Sequence, residues 1–96
     1  MRPRVFCDFN NYVARGTYSL HATGSRADLE RLGTAVVEGQ PVVFYDYDGF
    51  ENGEPAWLLA DGVVAVDSEF GLVARIDPES FRWEPRVAED GERPAV

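Results

Sequence analysis

The sequence predicts a mainly β fold, β-rich α+β in class: a small antiparallel barrel with an N-terminal β-hairpin and one short helix. Three observations carry that expectation. Short β-branched and aromatic runs recur along the chain between Gly, Asp, Asn and Pro, the pattern of strands punctuated by turns. Only one stretch carries both helix start and helix stop signals. The chain has 96 residues, 45% of them hydrophobic and 12% aromatic. That is enough for one core, and closing the sheet would remove the exposed edges of so small a structure.

The elements follow in order. Val5, Cys7 and Phe9 alternate with Phe6 and Asp8, and Tyr18 and Leu20 follow Gly16, so the two runs are expected to pair as the opening hairpin. Ser25 is placed to cap a helix of about two turns. Asp28 would complete its capping box, and Gly33 stands where a left-handed residue ends it. Ala27, Leu29 and Leu32 form only a narrow apolar stripe, so this helix is expected to plug one end of the sheet. Pro41 opens a strand over 41–47, and Val42-Val43-Phe44-Tyr45 is apolar on both faces, as in a central strand.

Ala56-Trp57-Leu58-Leu59-Ala60 and Val63-Val64-Ala65-Val66 flank Asp61-Gly62, which predicts a two-residue hairpin. It would set Trp57 opposite Val66 and Leu59 opposite Val64. One long strand with a glycine bulge at Gly62 is the alternative. Leu72, Ala74 and Ile76 share one face of a further strand, with Arg75 and Asp77 on the other, and Phe81-Arg82-Trp83 makes a last short strand beyond Pro78. Residues 84–96 have neither aromatics nor periodicity and read as a flexible polar tail, leaving 1–83 as a single domain.

Charge narrows the functional classes. Nine Arg and no Lys stand against seventeen acids, a net charge of −8. Residues 1–40 carry five Arg and four acids (+1), whereas 41–96 carry four Arg and thirteen acids (−9). Such a chain is poorly suited to a nucleic-acid backbone, which requires clustered cations, and a charged partner is expected to be basic. The lone Cys7 cannot close an internal disulfide, and no export signal or membrane-length apolar run is visible, so the expectation is a cytoplasmic protein without membrane contact.

Catalytic and metal signatures are weak. Cys7 and His21 supply the residue types of a thiol nucleophile and base, but Cys7 shares a face with Val5 and Phe9, where a packed thiol is inert. One Cys and one His cannot form a structural zinc site. A calcium loop starting at Asp46 would need an oxygen ligand where Phe50 stands and glycine where Glu51 stands. There is no glycine-rich phosphate loop and no serine elbow. The expectation is no enzyme activity, no metal and no cofactor.

The run Phe44-Tyr45-Asp46-Tyr47-Asp48 resembles the aromatic and acidic signature of Src-homology-3 domains. That resemblance implies a Src-homology-3-like barrel, with Tyr45 and Tyr47 lining a groove for proline-rich peptides. A sheet face on which Tyr45 and Tyr47 pack against Trp57 or Trp83 accounts for the same pattern. The functional expectation is an acidic protein-interaction module of the immunity, antitoxin or adapter kind. It would bind a basic protein through Tyr45, Asp46, Tyr47, Asp48, Phe50 and Glu51, with steering by charge and anchoring by aromatics. Two other readings use the same acids: a DNA mimic, and a small-molecule or divalent-cation barrel around Asp46.

Overall fold

The computed structural model describes residues 2–51 and 54–85, the side chains of 48–51 excepted. Seven strands and one helix run in the order β1 (Arg4–Phe6), β2 (Tyr12–Ala14), β3 (Thr17–Ser19), α1 (Thr23–Leu32), β4 (Pro41–Glu51), β5 (Glu54–Asp67), β6 (Gly71–Ile76) and β7 (Arg82–Pro85), with a 3-10 turn at Gly33–Ala35 after the helix. They form one sheet in the order β1-β4-β5-β6-β3-β2, and β7 also pairs with β5. The fold is therefore mainly β with one short helix, as expected.

The sheet is not closed into a barrel, because β1 and β2 end the path without pairing with each other. The edge that closure would have satisfied is met by the helix. The Phe6 N–H donates to Asp28 Oδ2 at 2.9 Å, and Ser25 Oγ donates to the Phe6 carbonyl. The same contacts overturn the capping box. The N-cap is Ala22, which makes no side-chain bond, while Ser25 and Asp28 lie inside the helix, fully buried, and reach out to β1. Gly33 does end the helix, at φ 53° with its N–H on the Leu29 carbonyl.

The opening hairpin also differs from expectation. β1 runs parallel to β4, with Val5 beside Phe44, and the hairpin is β2 with β3 across Arg15 and Gly16. Val5-Phe6-Cys7 is buried throughout, which suits a strand sandwiched between the helix and β4 better than an outer hairpin arm.

The Asp61-Gly62 hairpin does not form. β5 is one strand of 14 residues running through both positions with no register shift. From Glu54 to Val63 it pairs with β4 on one edge, with one irregularity between Asp46 and Gly49. On the other edge β7 covers Ala56–Leu59 and β6 covers Gly62–Asp67. Trp57 consequently faces Glu84, and Val66 faces Leu72. A side chain at Gly62 would overlap the Arg75 carbonyl oxygen, so glycine serves close approach between strands here.

The actual turn lies at 77–80, where the chain passes from β6 to β7 along the same edge. The Asp77 N–H donates to the Asp61 carbonyl at 2.9 Å, and the Asp61 N–H donates to Ser80 Oγ at 2.7 Å. Arg82 and Arg2 both reach Asp61 Oδ1, at 3.0 and 3.3 Å.

Alternate residues of β4 divide two core clusters between the sheet faces. Val42 and Phe44 join Val5, Cys7, Leu20, Ala60, Val64, Ala74 and Ile76, while Val43 and Tyr45 join Phe6, Trp57 and Leu59. β7 extends to Pro85, and Glu84 holds Arg4 at 2.9 Å, so the ordered sheet crosses the boundary expected after residue 83. Most of the expected tail, residues 86–96, lies outside the described residues. Among those described, no helix is long and apolar enough to cross a membrane.

Candidate functional site

The expected recognition strand is split by its own alternation. Tyr45 is 1% exposed and Asp46 6%, whereas Tyr47 is 39% exposed. The side chains of Asp48, Phe50 and Glu51 lie outside the described residues. Tyr45 and Tyr47 both meet Trp57 edge-on, with centroids 5.6 and 5.7 Å apart, and Phe6 packs on both tyrosines. This is the sheet-face packing that the pattern also allowed. Trp57 thus stands against both tyrosine rings.

Tyr45 also has its polar end occupied. Its hydroxyl donates to Asp28 Oδ2 at 2.6 Å, the oxygen that also accepts the Phe6 N–H, while Arg31 reaches Asp28 Oδ1 at 3.2 Å. One buried carboxylate thus joins helix, β1 and β4. Asp46 accepts the Phe9 N–H at 3.2 Å and so anchors the start of the β1–β2 connection. Both acids are structural rather than available to a solvent-side partner.

The thiol and the histidine do not meet. Cys7 is fully buried, and burial, reinforced by the Asp46 and Asp8 carboxylates, pushes its thiol far above the ordinary range. His21 is exposed, and its Nε2 lies 3.0 Å from the Phe70 carbonyl across the β5–β6 turn. Among the described residues no three His, Cys, Asp or Glu side chains gather in a metal-binding group.

A different aromatic surface emerges from the tertiary structure. Phe81, Phe9, Tyr18 and Tyr12 form a row in which each ring meets the next edge to face, at centroid separations of 5.1, 5.7 and 5.8 Å. The two ends are open: Phe81 is 37% exposed and Tyr12 59%. Phe9 and Tyr18 are partly buried and root the row on the larger core cluster. Burial pushes the Tyr18 phenol up, with Cys7 and Tyr12 adding to the effect.

Carboxylates neighbour two of these rings along the chain. Asp8 precedes Phe9, and exposed Asp77 and Glu79 lie in the turn leading to Phe81; none of the three pairs with a described arginine. Arg82, next in the chain, is committed to Asp61. Sequence reasoning missed this constellation because its four rings come from three separate segments. Tyr12 carried the one usable signal, an aromatic on a short strand between the polar Asn10-Asn11 and Arg15. Searches against protein-family models, curated proteins and solved structures find no match to this chain.

Proposed function

We propose that the protein is a non-enzymatic interaction module that engages a basic protein partner through the aromatic row Tyr12-Tyr18-Phe9-Phe81 and the carboxylates that neighbour it along the chain. One observation carries this reading: a continuous row of edge-to-face rings left open at both ends, with neighbouring acids that no described arginine holds. Aromatic side chains dominate binding energy at protein interfaces because they bury large area with little rotamer entropy, and the surrounding charge speeds encounter with a cationic surface.

The charge economy of the chain supports the same reading. Arg2 and Arg82 are held by Asp61, Arg4 by Glu84, Arg31 by Asp28 and Arg75 by Asp67. Among the described residues, Glu30, Glu38, Glu54, Glu69, Asp77 and Glu79 are exposed and have no such partner. Those acids come from α1, the start of β5 and the connections between elements, and no regular phosphate-like spacing among them argues for mimicry of a nucleic-acid backbone. A reducing cytoplasmic setting goes with the proposal, since the buried Cys7 thiol plays no part in crosslinking.

The test is a photo-crosslinking aromatic residue placed at position 12 in cells, followed by kinetics with the purified captured protein. The proposal expects a basic partner, an association rate that falls as salt rises, and loss of binding on Phe81→Ala. An acidic partner, or binding indifferent to salt and to Phe81→Ala, would overturn it.

A further inference from the structure

We propose that the outer edge of β2 is a strand-addition site: the basic partner enters as an extended segment that pairs its main chain with Tyr12 and lays alternate side chains along the aromatic row. This rests on the row being the binding surface, and adds the conformation in which the partner is held.

The path of the sheet ends at β1 and at β2. The first end is closed, because the Phe6 N–H and carbonyl are taken by Asp28 and Ser25. The second is open. The Ser19 N–H donates to the Asn11 carbonyl at 2.9 Å, so that carbonyl faces β3, and successive residues of a strand turn their backbone groups to opposite edges. Tyr12 consequently directs its own N–H and carbonyl away from β3, to the side where no described strand follows. The β3 side agrees. Leu20 donates to the Leu72 carbonyl and Gly16 accepts from the Ile76 N–H, so Gly16, Tyr18 and Leu20 face β6, and the opposed Tyr12 and Tyr18 exchange no main-chain bonds with each other.

Tyr12 therefore combines two open features. Its backbone offers one donor and one acceptor to an incoming strand, and its ring, 59% exposed, is one end of the row. A residue hydrogen-bonded opposite Tyr12 in an antiparallel pair places its side chain on the face that carries Tyr12 and Tyr18. A folded surface covers the ring alone, whereas an extended main chain also supplies the matching carbonyl and N–H.

The charges flanking β2 specify the segment. Asp8 begins the turn into β2, closed by the Asn11 N–H on its carbonyl at 2.9 Å, and no described arginine pairs with it. Exposed Arg15 follows β2 and has no described acid partner. A cation of the segment is therefore favoured toward Asp8 and disfavoured beside Arg15. A second copy is the poorer occupant, since each chain carries a net charge of −8.

The experiment titrates the isotope-labelled protein with a short peptide alternating arginine and threonine, and with two derivatives N-methylated at every arginine or at every threonine. Only alternate amides of an added strand face β2, so one derivative should bind about tenfold more weakly, the loss of a hydrogen bond, while the other binds like the parent. Arg15→Glu should tighten binding of the parent more than Arg26→Glu, which makes the same charge change on α1 at the closed end of the sheet. Equal effects of the two methylations, or of the two charge variants, while Phe9 and Phe81 still shift, would overturn strand addition and leave the row as the binding surface. No binding of the parent peptide would overturn both. A wild-type dimer in sedimentation velocity that Arg15→Glu dissociates would assign the edge to a second copy and overturn the inference.

Discussion

Gly62→Ala is the sharpest perturbation of this fold. A methyl group there would overlap the Arg75 carbonyl oxygen and stand 3.0 Å from both the Arg75 carbonyl carbon and the Ile76 Cα. All three are backbone atoms of β6, a strand held by β5 on one side and by β3 on the other. No rotamer change relieves such an overlap, so a strand pair at the centre of the sheet must move. Overpacking typically costs about 1–3 kcal/mol, and a rigid backbone neighbour puts this site at about 3 kcal/mol or above. For a domain of this size that corresponds to a fall of about 12–24 °C in the melting midpoint.

A control isolates the cause. Gly39 adopts φ 83° with nothing within 4 Å of an added methyl, so Gly39→Ala should cost only the left-handed penalty of about 1–2 kcal/mol. Urea titration of both variants, followed by tryptophan fluorescence, provides the comparison. If Gly62→Ala costs no more than Gly39→Ala, then position 62 lies in an open turn and the continuous β5 is wrong.

Other predictions follow from individual side chains. Trp57→Ala should cost about 3–5 kcal/mol because the ring is buried against Tyr45 and Tyr47, whereas Trp83→Ala, 40% exposed, should cost less than about 1 kcal/mol in the same urea assay. Native Cys7 should react with a thiol reagent at pH 8 only as fast as the protein opens, since burial keeps the thiol protonated; rapid stoichiometric labelling without denaturant would contradict its place in the core. Asp67 accepts the Glu69 and Phe70 N–H groups at 2.7 and 3.0 Å, and these bonds, with Arg75 adding to them against the opposing effect of desolvation, hold its carboxyl below the usual carboxylate range. Its contribution is therefore present above the unfolded value and disappears as pH falls through the folded one. The melting midpoints of wild type and Asp67→Asn should accordingly differ most near pH 6 and converge toward pH 2.

The strands were legible where burial on both faces left a continuous apolar run. Val42-Val43-Phe44-Tyr45 lies in β4, and Gly33 ends the helix, because each depends on local chemistry alone. Asp61-Gly62 misled because the same dipeptide serves a tight turn and a close approach of strands, and only the distant Arg75 carbonyl decides between them. Ser25 and Asp28 misled for a related reason: their spacing satisfies a capping box, but burial against Phe6 offered both side chains tertiary partners instead. The parallel placement of β1 is a long-range choice with no local signature. Around the candidate site, alternation alone could have warned that Tyr45, Asp46 and Tyr47 would not share one surface. The row of Tyr12, Tyr18, Phe9 and Phe81 required the fold to bring it together.

The central claim is that this row is the binding surface, and chemical-shift mapping tests it most directly. The isotope-labelled chain would be titrated with a short arginine-rich peptide and, separately, with a glutamate-rich peptide of equal length. The account predicts saturable shifts from the arginine-rich peptide alone, centred on the amides of Phe9, Tyr12, Tyr18 and Phe81, weakening with salt and abolished in the folded Tyr12→Ala, Phe81→Ala double variant. Shifts spread evenly over the exposed acids, or unchanged in the double variant, would show that acidity alone attracts the peptide and would contradict the account.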